Sequence, residues 1–281
     1  MNYQFNLKEW MANFPLEESY GRYSGDDITS PCDLCNNEWL RREMTDEYDW
    51  GEAVPADAFV MADGEPENRF ATKIGGLPYR PASESWPTSR SGRPLNFVAQ
   101  FNFSDSADIV GDQPGDLLLI FANNDEGWFE EFHFEWRKIT DDESDLVSSL
   151  PEFPYPIAPC YGHRCRVMNY PDATRKNSDG DYPTCKGKEV WSDYWVLQYQ
   201  ATQIGRASFE PQGDNSRSQL CTIASVQPDA HKRFPWVNVE EPLCPEDEWP
   251  RQGDYLMIGD LGCIFVWYDE NGELTAGEQC Y

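Results

Sequence analysis

The chain has 281 residues, 40% of them hydrophobic and 14% aromatic, with 11 Trp. It is long enough to bury a sizeable core and too aromatic for wholesale disorder. Its formal net charge of -28 and pI near 4.3 exclude a general nucleic-acid binder, which must neutralise phosphate with Lys and Arg, and disfavour an anionic membrane surface. No apolar run approaches the roughly 18 residues of a membrane-spanning helix.

In chain order, residues 1–68 read as an acidic N-terminal extension with helical pattern at 6–14 and 36–48. Its opening, MNYQFNLKEWMANFPLEE, has no basic n-region and no apolar h-region, so a cytoplasmic location is expected. A first β-rich half is expected over 69–140. There Leu95, Phe97, Ala99, Phe101 and Phe103 alternate with Asn96, Val98, Gln100 and Asn102, the period of two that marks a half-buried strand. Residues 117–121 form a short continuous apolar run, as in a strand covered on both faces. Phe132, Phe134 and Trp136 alternate with Glu131, His133 and Glu135. Residues 141–190 form an acidic, Cys-containing connection. A second β-rich half is expected over 191–281, with strand pattern at 194–200 and 263–268 and an Asn271-Gly272 hairpin turn. The expected fold class is α+β and β-rich, with 69–281 as one compact domain.

Acid is concentrated in three blocks. Residues 1–70, 104–153 and 240–281 carry -11, -12 and -10, whereas 71–103 and 154–239 carry +3 and +2. Blocks of this kind keep a surface soluble, or converge on one basic partner and speed its encounter.

The two halves echo each other. Ala71-Thr72, Ile74-Gly75, Tyr79 and Pro81 are matched by Ala201-Thr202, Ile204-Gly205, Phe209 and Pro211. Leu95, Val98 and Ala99 are matched by Leu220, Ile223 and Ala224. Gly115-Asp116, Ile120-Phe121 and Asp125-Glu126 are matched by Gly259-Asp260, Ile264-Phe265 and Asp269-Glu270. Three echoes in the same order predict an internal duplication with loops of different length.

The stretch TKIGGLPYRPASESWPTSRSGRPLNFVAQFNFSD resembles the signature of the YwqG-like family in Lys73, Gly75, Gly76, Pro78, the Trp86-Pro87 pair and the Pro94–Gln100 segment. PGDLLLIF and GDLGCIFVWYDENG look like the family's two Gly-Asp lead-ins to strands. That family is related to the eukaryotic programmed cell death protein 2 and its yeast ribosome-maturation relative. The resemblance implies a two-part β-rich fold, no established catalytic residues and a protein- or peptide-binding role. Where many relatives place a Cys-x-x-Cys, this chain has Thr88-Ser89-Arg90-Ser91, and Arg206 replaces the second glycine of the second half.

Chemistry-bearing residues are few. His133 and His231 have the setting of surface histidines, and no Gly-x-Ser-x-Gly elbow, Walker loop or Gly-x-Gly-x-x-Gly occurs. Nine cysteines, an odd number, with no export signal read mainly as reduced thiols. Four ligands close a structural zinc site, and Cys32, Cys35, Cys160, His163, Cys165 and Cys185 are the residues from which such a site could be drawn. No cofactor beyond that zinc is expected. Asn177-Ser178-Asp179-Gly180-Asp181 lacks the spaced ligands and closing Glu of a calcium loop.

The leading expectation is a non-enzymatic protein- or peptide-binding module, such as a specialised chaperone or a toxin-immunity protein, that meets a basic partner. Its anchors would be Tyr79, Trp86 and Phe209 and its charges Asp125, Glu126, Glu130 and Glu131; core packing is the competing role for the three aromatics. One alternative is an enzyme using a carboxylate pair between the halves, such as Asp116 with Asp260. Another is an acidic mimic of DNA.

Overall fold

The computed structural model describes residues 52–140, 144–169, 184–185, 188–189, 201–206, 212, 218–226 and 255–280. Its strands are β1 (Val54–Asp63), β2 (Lys73–Ile74), β3 (Asn96–Asn102), β4 (Leu117–Asp125), β5 (Trp128–Arg137), β6 (Cys160–Asn169), β7 (Thr184–Cys185), β8 (Lys188–Glu189), β9 (Gln203–Ile204), β10 (Gln219–Ala224), β11 (Cys263–Tyr268) and β12 (Leu274–Gln279). The one described helix, α1 (Ala107–Val110), is a single turn. The described part of the molecule is therefore β-rich with almost no helix. The helical patterns at 6–14 and 36–48 lie outside the described residues. No described helix is long and apolar enough to cross a membrane.

Ten strands form one antiparallel sheet in the order β12-β11-β10-β9-β1-β6-β2-β3-β4-β5. Its centre is the long pair β1–β6, in register from Val54 opposite Asn169 to Asp63 opposite Cys160. Neither strand is prominent in the sequence. β1 falls within the segment read as an N-terminal extension, and β6 within the segment read as a connection. Polarity conceals β6, whereas β1 is mostly apolar and is concealed by the acidic stretch around it and by the charge of Asp57 at its middle. On one face of the pair, Asp57, with 0% exposure, accepts a 2.6 Å bond from the Arg166 guanidinium and a 2.7 Å bond from the Ser106 hydroxyl. Arg164 lies 3.6 Å from Asp57 and 6.0 Å from the centre of the Phe59 ring. Buried charges persist when paired and hydrogen-bonded, so a strand that reads as polar can occupy the middle of a sheet.

The flanks on either side of that pair repeat one pattern. Lys73 and Ile74 lie opposite Gln100 and Ala99, and Gln203 and Ile204 lie opposite Thr222 and Cys221. Gly75 N–H donates to Val98 O and Gly205 N–H to Leu220 O, both at 2.9 Å. Phe103 N–H donates to Asp116 O at 2.8 Å, as Ser225 N–H does to Gly262 O at 3.0 Å. These contacts align Ala99 with Cys221 and Asp116 with Gly262. The sequence echo had matched Ala99 to Ala224 and Asp116 to Asp260, so it was out of register at both places. Gly75 has φ 60°, and a β-carbon there would stand 2.7 Å from Ile157 O, which requires glycine.

The sheet curls until its ends meet. Gly259 N–H donates to Gly127 O at 2.9 Å, and Phe129 N–H to a carboxylate oxygen of Glu278 at 3.0 Å. The result is nearly a barrel. Its apolar filling includes Phe59, Met61, Ile74, Phe101, Ile120, Phe129, Ile223 and Ile264. Two smaller clusters lie apart from it, one of Leu95, Phe97, Leu119 and Phe121 with Trp86 and the other of Met257, Leu261, Cys263 and Phe265 with Trp267.

Candidate functional site

The β4–β5 hairpin turns through Glu126 and Gly127, with φ 54° and 92°. Asn124 caps the turn by accepting from Gly127 N–H at 2.9 Å. Two successive residues with positive φ suit the twist of a two-residue hairpin, but Glu in the first place is strained where Asn or Gly would be at ease. The turn presents Trp128, which is 55% exposed. Beside it is Tyr155, 36% exposed, whose hydroxyl donates to Glu126 at 2.9 Å and whose backbone O accepts from the Asn96 and Asn124 amides. The Glu126 carboxylate raises the Tyr155 hydroxyl pKa above its ordinary value. Glu130 accepts from Asn123 at 3.3 Å, and Glu131, itself at φ 52°, accepts from Arg90 N–H at 2.6 Å.

Across the junction of the sheet ends, Glu278 is partly buried, and burial raises its carboxyl pKa above the usual value. The β11–β12 turn adds Asp269, Glu270 and Glu273. Backbone N–H groups, that of Glu273 foremost, hold the Asp269 carboxyl below its usual range. Among the described residues, ion pairs engage Glu65, Glu84, Glu135, Asp57, Asp105 and Asp108. None engages Asp125, Glu126, Glu130, Glu131, Asp269, Glu270, Glu273 or Glu278. Among the described residues, the β4–β5 tip and the β11–β12 turn at the far end of β12 thus carry carboxylates with no ion-paired cation, and Trp128 and Tyr155 stand exposed at the first.

Asp125, Glu126, Glu130 and Glu131 fall together on the β4–β5 hairpin. Tyr79 is 4% exposed; its hydroxyl donates to Thr140 O at 3.0 Å and accepts from Thr140 N–H at 3.1 Å. Trp86 is half-buried, edge-on to Phe121, with its indole N–H on Leu95 O and Arg80 over its ring. Both rings are thus held by the fold. Phe209 lies outside the described residues. Trp128, Tyr155 and Glu278 were missed; the Asp-Glu-Gly-Trp turn signals the first, and nothing local signals the others.

The metal candidates are dispersed as far as they are described. Cys160 packs into the barrel core, and burial drives its thiol far above the ordinary range. His163 and Cys165 stand an odd number of residues further along β6 and so face the other way. Burial lowers the His163 pKa. Cys32, Cys35 and the Cys185 side chain lie outside the described residues. Among the described residues no group of three or more His, Cys, Asp or Glu could hold a metal ion.

The Asp116–Asp260 pair does not form. Asp116 precedes β4 and accepts from Ile139 N–H at 2.8 Å, a turn role. Asp260 follows Gly259, which bonds to the hairpin tip beyond the other end of β4. A strand of 9 residues, at about 3.3 Å each, separates those ends by roughly 30 Å, too far for proton exchange between the two carboxyls.

The family model described as Domain of unknown function (DUF1963) matches residues 72–161, from the approach to β2 to the start of β6. That segment contains the Lys73–Gln100 signature and the candidate hairpin. A comparison with curated proteins gave no match.

Proposed function

We propose that this chain is a non-enzymatic binding module of the YwqG-like type that uses its acidic surface to hold a basic protein or peptide. The observation that carries the reading is the hairpin tip. Trp128 and Tyr155 stand exposed among Asp125, Glu126 and Glu130, none of them ion-paired to a described cation. Trp and Tyr contribute much of the energy of an interface, and a Lys or Arg over such rings gains both cation–π attraction and the carboxylate field. In this reading Trp128 and Tyr155 supply anchoring surface that Tyr79 and Trp86, held by the fold, do not. A specialised chaperone or a toxin-immunity protein would use such a surface.

The shared hydrogen-bond pattern of the flanks supports an internal duplication. In that scheme β1 and β6 are equivalent first strands, each exchanged into the other half. Ion pairing of the acids nearer the sheet centre argues for a scaffold role there and leaves the hairpins for recognition.

The test is affinity capture from the native cell, read by mass spectrometry, with wild type and an Asp125→Lys/Glu126→Lys/Glu130→Lys variant in parallel. A basic protein held by the wild type alone, associating more slowly as salt rises, is the expected result. A salt-independent association rate, or equal capture by the variant, overturns the electrostatic reading.

A further inference from the structure

We propose that the junction of β5 and β12 accepts an extended peptide strand of a partner protein, with apolar and cationic residues alternating, which pairs with the outer edge of β5; this rests on the binding reading above. The sheet ends at β5 and β12 with no ladder between them. Among the described residues, the outer edge of β5 makes one hydrogen bond, from Phe129 N–H to Glu278. Alternate residues of an edge strand direct N–H and C=O outward, so most of the 10 residues of β5 flank a free template.

The junction has an apolar floor. Phe132, Phe134 and Trp136 of β5 and Leu274 and Ala276 of β12 are only partly buried and pack against the core. The rings of Phe132 and Phe134 are stacked, 6.3 Å apart and 10° from parallel. Charge frames this floor at both ends. Glu130, Glu131 and Glu278 lie at the β4–β5 tip, and Asp269, Glu270 and Glu273 lie in the β11–β12 turn. None of them is ion-paired to a described residue. A strand with period two can lay valine-like side chains on the Phe132–Phe134 floor and turn Lys or Arg toward the carboxylates. A second copy of this chain fits less well. It would bring together two chains that each carry a formal net charge of -28, a repulsion that a cationic peptide does not meet.

The experiment uses the full chain and two synthetic peptides of about ten residues, one of alternating Lys and Val and one of equal charge with Pro at two of the Val positions, since Pro cannot donate to a ladder. Calorimetry should show the first peptide binding at least about tenfold more tightly, a difference of about 1.4 kcal/mol. Hydrogen exchange over residues 130–137 should slow with the first peptide only. A Glu130→Lys/Glu273→Lys variant should melt like wild type and bind the first peptide more weakly. Equal binding of both peptides without protection of β5 overturns the edge site and leaves charge-driven binding standing. No binding of either overturns both. Protection of 130–137 that grows with protein concentration and no peptide identifies the occupant as a second copy and also overturns the proposal.

Discussion

Thr72 and Thr202 perform the same task in the two flanks of the sheet. The Thr72 hydroxyl oxygen accepts from Asn102 N–H at 3.0 Å, and that of Thr202 accepts from Ala224 N–H at 3.2 Å. Each thus reaches the far end of the neighbouring strand, β3 or β10. Their backbone oxygens are also matched: Thr72 O accepts from Gly162 N–H of β6, and Thr202 O from Phe59 N–H of β1. One threonine ties each flank to the neighbouring strand of the central pair. That pair, β1 and β6, is the spine of the sheet, and the spine is where damage should be costliest.

Asp57→Ala should be the most damaging of the charge deletions. It removes the acceptor for Arg166 and Ser106, leaving Arg166 on Asp108 and Arg164 near Asp105. Asp57 is fully buried but both guanidiniums are partly exposed and keep a second carboxylate, so the cost should fall below the about 3–5 kcal/mol of orphaning a buried charge. Urea unfolding monitored by Trp fluorescence measures it, and a loss under about 1 kcal/mol would show that the spine does not depend on this cluster.

Gly162→Ala tests the same spine through packing. A β-carbon at Gly162 would stand 2.7 Å from the Phe59 β-carbon in the middle of β1–β6. Overpacking should cost about 1–3 kcal/mol. Adding Phe59→Leu should recover part of that loss, so the two changes will be non-additive in thermal melts.

Glu278→Gln should stabilise the protein at neutral pH. The folded carboxyl pKa is raised by burial, so the folded state binds the proton more tightly than the unfolded chain. Its contribution is most favourable below the unfolded value of 4.5 and is lost as pH rises through the raised folded value. Gln keeps the acceptor for Phe129 N–H without the charge. A gain of about 1–2 °C in Tm at pH 7 is expected, allowing for solvent screening, and it should vanish near pH 4.

Glu126→Gly should separate stability from binding. The substitution removes a left-handed glutamate, whose strain is about 1 kcal/mol, and also removes the carboxylate bonded to Tyr155. Tm should rise while affinity for a Lys-rich peptide falls. A variant that gains neither stability nor loses affinity would assign the turn no part in recognition.

Much of the sheet was legible because its strands obey simple periodicity. The apolar residues of 95–103 and the run at 117–121 marked strands correctly, but β3 is covered on both faces rather than half-buried: Asn96, Val98 and Gln100 are buried as well, and a register shift between Phe97 and Ala99 sends Phe97 and Phe101 to different clusters. The acidic hairpin was legible for a related reason, since Asp125, Glu126, Glu130 and Glu131 are close in the chain and one turn keeps them together. The Asp116–Asp260 pairing was not correctly legible. It took Gly259-Asp260 as the counterpart of Gly115-Asp116, whereas the hydrogen bonds align Asp116 with Gly262 and set Gly259 against the β4–β5 tip.

The amino-acid sequence by itself determined the β-rich character, the negative charge and the turn chemistry, because each depends on residues within a few positions of one another. Tertiary structure alone decided that β1 and β6 form the centre of the sheet, since their strand character depends on Asp57 meeting Arg166 more than a hundred residues away. It likewise decided which aromatics stay exposed. Tyr79 satisfies its hydroxyl on the distant Thr140 and is buried, whereas Trp128 sits at a turn where the sheet ends and no further strand is described to cover it. The closure of β5 against β12 has the same origin: sheet twist and curl accumulate over ten strands, and no local pattern records where the two ends will meet.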